Sequence, residues 1–298
     1  MVIVKLNGGL GNQLFQYAAG LSLALKNNDV LKIDISGYKL NSKRRQIFRN
    51  LDILDFLISA PTATPYEISG IKYPFGFLSK VTRVIKQRFF KVYYIDWHPE
   101  ILKKSGNIYL DGYFQTEKYF LDRVDSIFTE LTLNPELSAR IDHNIHQIAQ
   151  ESVSVSIHIR RGDYANDPKT RKYHLVCDAN YYQRAIKEIE NLYPNFHLFI
   201  FSDDLGWVRK NISLPSAITF VSKEAGARDA LRPSQELLLM SKCHHHILSN
   251  SSFSWWGAYL NRSPYKTVLA PTLWNRGMSQ PNILPVGWTP FAVQDDWT

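Results

Sequence analysis

Cysteine is scarce in this chain of 298 residues: Cys177 and Cys243 are the two present, too few for a disulfide framework. A reducing compartment with two buried thiols is the expectation. No run of about 18 uninterrupted apolar residues occurs, so a membrane-spanning helix is excluded on length. The opening MVIVKLNGGLGNQ lacks a charged leader and reaches glycine at once, which argues against a signal peptide. Neither G-x-G-x-x-G nor G-x-x-x-x-G-K-[ST] is found, so the fingerprints of a dinucleotide site and of a P-loop are both missing. Internal repeats and low-complexity tracts are absent as well.

What the chain does carry is a positive balance. Its 35 Lys and Arg against 27 Asp and Glu give +8, which favours anionic partners, whether phosphates, acidic lipids or nucleic acid. A hydrophobic content of 45% suits a folded protein with one large or two ordinary domains. Val2 to Leu6 reads as a buried strand, Gly8 to Gly11 as a tight turn, Asn12 to Asn27 as a helix and Val30 to Ile35 as a second strand, together a βαβ unit. Pro61 to Pro74 reads as loop. Leu78 to Lys91 reads as a basic amphipathic helix carrying Lys80, Arg83, Lys86, Arg88 and Lys91, either a solvated face or an attachment to an anionic membrane. Asn134-Pro135-Glu136 has the form of a cap, a first-turn proline and an acidic first-turn residue, predicting a helix to about Gln150. Strand-like runs follow at Val153 to Ile159, His197 to Phe201, Ala217 to Val221, His245 to Leu248 and Lys266 to Ala270. The pattern predicts an α/β protein of two lobes with a boundary near residue 150.

Polar clusters gather where these strands end. Asn7-Gly8-Gly9-Leu10-Gly11-Asn12-Gln13 joins a strand to a helix, so backbone amides and the positive helix end can face an anion, or the glycines merely make a turn. His158-Ile159-Arg160-Arg161-Gly162-Asp163-Tyr164 follows a strand at its carboxyl end, where open α/β sheets place their ligands. Strand alternation puts His158 and Arg160 on one face. A guanidinium grips two phosphate oxygens in one plane, and Arg161 points the other way or pairs with Asp163. A surface ion-pair cluster at a turn is the plainer alternative. Phe199-Ile200-Phe201-Ser202-Asp203-Asp204 offers a carboxylate for guanine or ribose donors, or a helix cap. In Leu248-Ser249-Asn250-Ser251-Ser252-Phe253-Ser254-Trp255-Trp256-Gly257, small hydroxyls meet a helix start, while Trp255 and Trp256 read as core. The run Cys243 to His246 puts only His244 and His246 on one strand face, which is poor metal-ligand geometry.

Taken together, HIRRGDY, FSDD, SNSSFSWWGAYLN and GGLGNQLFQYA, spanning residues 8 to 261, resemble the α-1,2-fucosyltransferase family, glycosyltransferase family 11. LDGYFQTEKYF, residues 110 to 120, is similar to a further segment of the bacterial members. The resemblance implies a GT-B-type fold of two Rossmann-like lobes facing across a cleft, with residues 1–150 on the acceptor side and 151–298 binding GDP-fucose. It implies transfer of fucose from GDP-β-L-fucose to the 2-hydroxyl of a galactosyl acceptor with inversion, without a metal or other cofactor. Arg160, His158 and Asn12 would form the catalytic set. Gly9, Gly11, Gln13, Arg161, Asp163, Asp203, Asp204, Asn250, Ser251, Ser252, Phe253 and Ser254 would hold the donor, and Tyr113, Gln115 and Glu117 the acceptor.

Asn12 stands where some related enzymes carry a glutamate, and an amide cannot act as a general base. Asp34, Asp111, Glu117 and Asp163 remain candidates for that role. The implied partner is a galactose-terminated oligosaccharide or lipid-linked glycan in the cytoplasm or against the inner face of the membrane. Two rivals are a nicotinamide oxidoreductase, motivated by Asp34 after the second strand, and a nucleic-acid or anionic-surface binder, motivated by charge and 13% aromatic residues. The missing glycine fingerprint opposes the first, and arginines at strand ends instead of along one stripe oppose the second.

Overall fold

The computed structural model describes residues 1–39, 50–72, 97–162, 176–224, 226–275 and 282–293. The chain divides into two compact units, Met1–Thr132 and Leu133–Thr298. The division falls ahead of the expected boundary near 150, because the helices that follow residue 133 pack with the second unit.

In the first unit, β1 (Val2–Lys5) lies in parallel between β2 (Leu31–Asp34) and β3 (Ile108–Leu110). The crossover from β1 to β2 is α1 (Leu10–Lys26), which begins inside the glycine turn. From Leu10 to Ala24 every residue of α1 except Asn12 is buried, as expected for a helix enclosed on all sides. Short α2 (Ser36–Lys39) follows β2. The stretch read as loop from Pro61 to Pro74 contains α3 (Pro65–Lys72). Thr64-Pro65-Tyr66-Glu67 starts it: the Glu67 carboxylate accepts from the Thr64 amide at 2.9 Å, and the Thr64 hydroxyl accepts from the Glu67 amide at 3.3 Å. That is a capping box with proline in the first turn. Single 3-10 turns over Glu117–Tyr119 and Leu121–Arg123 lead into α4 (Val124–Glu130), whose last residue accepts hydrogen bonds from Tyr17 and Ser59.

The second unit opens with α5 (Pro135–Ala139), capped by the Asn134 side chain, and α6 (Asp142–Gln150); the continuous helix expected here is broken at Arg140 and Ile141. Its sheet is parallel throughout, in the order β6-β5-β4-β7-β8-β9. The strands are β4 (Ser154–Ile159), β5 (His197–Ser202), β6 (Ile218–Phe220), β7 (His245–Ile247), β8 (Val268–Pro271) and β9 (Thr289–Phe291). Between them run α7 (Ala179–Leu192), α8 (Leu205–Asn211), α9 (Pro233–Lys242) and α10 (Ser252–Tyr259). β9 has no strand signature in the sequence, being three residues with an exposed edge.

β4 is buried along its whole length, yet alternate residues are polar. Val155, Ile157 and Ile159 enter an apolar cluster with Tyr181, Ala185 and Ile189 of α7. Ser154, Ser156 and His158 point the other way and meet His244 Nδ1 at 2.8 Å, His246 Nδ1 at 2.7 Å and Ser249 Oγ at 2.7 Å. Buried polar atoms are costly unless hydrogen-bonded, so this ladder fixes β7 beside β4 in one register.

Candidate active site

Strand order carries the chain outward from β4 through β5 to β6, then returns it to the other side of β4 as β7. The reversal at β4 and β7 is the position where open parallel sheets form a ligand crevice beyond their carboxyl ends. Three predicted clusters converge there within the second unit.

Arg160 leaves β4 and its Nη1 donates to Asp203 Oδ2 at 2.6 Å. The other oxygen of Asp203 accepts from the amides of Arg161 at 2.8 Å and Gly162 at 3.2 Å. Asp203 reaches all three because β4 and β5 pair with Ile159 opposite Ser202, bringing both strand ends level. A Cβ at Gly162 would collide with the Asp203 carboxylate, so any larger residue there would push that carboxylate aside. Arg161 diverges from Arg160 and lays its guanidinium over the Trp207 ring, 4.1 Å from the centroid. Asp204 caps α8 by accepting from the Trp207 amide at 2.9 Å. Asp163 lies outside the described residues.

His158 is buried against Phe253, and its ring is neutral: burial first, and the nearby Arg160 charge second, hold its pKa down at about 3. A neutral imidazole with Nδ1 bound to Ser249 can offer one hydrogen bond through Nε2 but no charge. Next in the chain, Ser251 caps α10 by accepting from the Phe253 amide at 3.3 Å, and Ser252 occupies the first helical position. Asn250 is buried and donates to the Trp274 carbonyl at 3.0 Å. Trp255 and Trp256 are fully buried, as the sequence suggested.

In the first unit the glycine turn is held by two buried glutamines. Gly8 adopts φ +79°, and Gly9 precedes α1 without a side-chain cap. Gln13 donates to the carbonyls of Gly8 at 3.1 Å and Asn50 at 2.8 Å and accepts from the Ile53 amide at 3.0 Å. Gln16 accepts from the Asn7 amide at 2.9 Å and donates to the Gly112 carbonyl at 3.1 Å. Asn12, alone on this face of α1 in being partly exposed, accepts from Gln115 Nε2 at 2.9 Å. Phe114, between Tyr113 and Gln115, is fully buried at φ +54°, a conformation that costs a bulky side chain about 1–3 kcal/mol. Of the carboxylates considered for proton transfer, Asp111 pairs with Lys5 at 3.5 Å. Asp34 is buried, which would raise its pKa, but the Tyr109 hydroxyl at 2.5 Å, the Ser36 amide at 2.8 Å and nearby Lys72 together hold it below the ordinary value. A carboxylate so stabilised is a weak base.

The sequence model of Glycosyl transferase family 11 matches residues 1–289. The chain belongs to glycosyltransferase family 11. An alpha-1,2-colitosyltransferase of Escherichia coli is 32% identical over 282 residues, covering 92% of both chains. Galactoside 2-alpha-L-fucosyltransferase Sec1 of Mus musculus is 25% identical over 292 residues, 91% of this chain and 71% of the mouse protein. The crystal structure of fucosyltransferase NodZ from Bradyrhizobium matches with a TM-score of 0.56 at 18% identity, over 87% of this chain and 92% of NodZ. That likeness establishes the α/β fold with parallel sheets and nothing finer.

In this family 11 chain, His158, Arg160, Asp203, Ser251 and Ser252 come together at neighbouring strand ends. Gln13 and Ser254 are both fully buried, Gln13 with its amide engaged in the turn and Ser254 donating to the carbonyls of Ser249 at 3.2 Å and Ser251 at 3.1 Å. Glu236 escaped the sequence reading. It lies on α9 near Asp203, and burial, then the Asp203 charge, push its pKa up to about 7 against the opposing Ser222 hydroxyl. Only a lone acid entering the run Leu237-Leu238-Leu239-Met240 hinted at it.

Proposed function

We propose that this family 11 glycosyltransferase moves fucose from GDP-β-L-fucose to the 2-hydroxyl of a galactosyl acceptor, with inversion to an α-linkage. The observation that carries the reading is Arg160 at the carboxyl end of β4, its guanidinium oriented by Asp203 and flanked by neutral His158. A departing GDP gains negative charge on its diphosphate, and a preorganised cation aimed at that charge is typically worth about 3–4 kcal/mol of barrier. Ser251 and Ser252 at the start of α10 would add hydroxyl and amide donors to the same diphosphate. With Asp34 and Asp111 tied to hydroxyl and ammonium partners, a loose, oxocarbenium-like transition state relieves the need for a strong base. The GT-B arrangement, the absence of a metal requirement and the cytoplasmic location are parts of the same reading. The basic stretch from Leu78 to Lys91 lies outside the described residues, and among those described no helix is long and apolar enough to cross a membrane.

The name of the Escherichia coli relative favours a second reading, transfer of colitose through the same linkage. An O-antigen biosynthesis glycosyltransferase, WbnK of Escherichia coli, is 29% identical over 304 residues, so glycans of that class are the acceptors to try first. Purified protein incubated with GDP-fucose or GDP-colitose and a panel of galactosides, followed by NMR assignment of the new linkage, separates the readings. An α-1,2-fucosyl product supports the first. Transfer of colitose alone supports the second, and a β-linkage overturns inversion.

A further inference from the structure

We propose that Ser249 is a positioning residue that fixes the tautomer of His158, holding the ring proton on Nε2 so that the imidazole donates to a diphosphate oxygen of the sugar nucleotide. This rests on the transferase reading above, and every residue involved belongs to the second unit. Pairing of β4 with β7 ends with Ile157 opposite Ile247, and the chain just beyond brings Ser249 Oγ to 2.7 Å from His158 Nδ1.

Both partners are held from behind by the start of α10. Ser249 is fully buried, and its carbonyl accepts from the Ser251 amide at 2.8 Å and from the Ser254 hydroxyl at 3.2 Å, so the first turn of that helix fixes its backbone. The same turn sets the plane of the imidazole. Phe253, at the second position of α10, packs on His158 with ring centroids 5.4 Å apart.

A neutral imidazole carries one proton, on one nitrogen or the other. Burial, then the Arg160 charge, keep His158 neutral by holding its pKa down at about 3. Were the proton on Nδ1, it would be donated to Ser249 Oγ, and the serine's own O–H would be left without an acceptor. Among the described residues His158 is the one partner of that hydroxyl, in a residue that is 0% exposed. A buried donor left unmade is costly. With the serine donating to Nδ1 instead, both buried groups are satisfied and the ring proton stands on Nε2. Nε2 has no hydrogen-bond partner among the described residues, and His158 retains 7% exposure close enough to Arg160 to feel its charge. A ligand oxygen that gains negative charge there meets a cation and a neutral N–H together. The opposite tautomer would turn a lone pair toward the same oxygen and repel it.

Nitrogen NMR of isotope-labelled histidine reads the tautomer directly in the ligand-free protein, with the His158 signals assigned by their loss in His158→Phe. The expectation is a protonated Nε2 and an Nδ1 that accepts; a proton on Nδ1 overturns the proposal. Saturating GDP should move the Nε2 proton strongly, and a proton that stays in place while other resonances respond overturns the contact. In initial-rate assays His158→Phe should lower kcat/KM about tenfold and Ser249→Ala about threefold or more. Ser249→Thr, which keeps the hydroxyl, should recover both the rate and the nitrogen signature. In a His158→Phe background Ser249→Ala should add little, because coupled residues are not additive. Losses that multiply in the double variant, or an Nδ1 signal unaltered by Ser249→Ala, overturn the role of Ser249. If GDP perturbs no resonance and neither sugar is transferred, the transferase reading fails while the tautomer of the free protein still tests the lock.

Discussion

Replacing Arg160 with lysine keeps the charge and removes the planar fork, which makes it a direct test of how the diphosphate is held. In the wild type, Nη1 is directed to Asp203 at 2.6 Å, and this fixes the plane in which the other guanidinium donors lie. Lysine has a single nitrogen at the end of a flexible stem, so it cannot satisfy Asp203 and two phosphate oxygens in one plane. The expected loss is one charge-assisted hydrogen bond, roughly 1.5–3 kcal/mol, or about 10- to 150-fold in kcat/KM at about 1.4 kcal/mol per decade. Stability should hardly change, since Arg160 and Asp203 are 21% and 28% exposed and such pairs contribute about 0–1 kcal/mol. The assay is initial-rate transfer from GDP-fucose to a galactoside beside a thermal scan of both proteins. A kcat/KM within about threefold of wild type, in a protein that melts normally, refutes the assignment of Arg160 to the leaving group.

Gly162→Ala should act on the same contact from the backbone, displacing the Asp203 carboxylate and lowering turnover about tenfold; Gly206→Ala, whose new Cβ would find Asp204 no closer than 3.8 Å, is the control that should stay near wild type. Acid should destabilise the fold: burial holds His158 at about 3, His245 at about 4 and His246 well below 6.5, so the unfolded chain takes up protons first and stability is lost as pH falls below 6.5. Urea midpoints at pH 7.5, 6 and 5 read this directly, and an unchanged midpoint at pH 5 contradicts it. Glu236 has the opposite sign. Its folded pKa of about 7 stands above the ordinary 4.5, so charging it costs stability as pH rises through that window. Glu236→Gln should therefore melt higher than wild type at pH 8 and lose that advantage at pH 4.5. Turnover in excess EDTA should equal turnover without it, and a loss restored by a divalent cation would place a metal in the reaction.

The sequence announces which residue types stand at strand ends but not which of them meet. Apolar alternation before Arg160, Asp203 and Ser249 locates each at a carboxyl terminus, and that much follows from a period of two. Their pairing depends on strand order, which no local pattern contains. Asp203 reads equally well as a nucleoside contact or a cap until β5 is known to neighbour β4; then its carboxylate falls on Arg160, Arg161 and Gly162. Ser249 reaches His158 only because β7 returns to the other side of β4. The same holds for Asn12 and Gln115, joined by a strand that skips past β2 to pair with β1. Local signals failed for a different reason where Pro61 to Pro74 reads as loop: Thr64 and Glu67 form a capping box, turning Pro65 into a first-turn residue of α3. The extra helices joined to the second unit are governed by packing instead, since Gln235 of α9 donates to the Leu137 carbonyl at 2.8 Å and so ties α5 to the second unit instead of to the unit that precedes it in sequence.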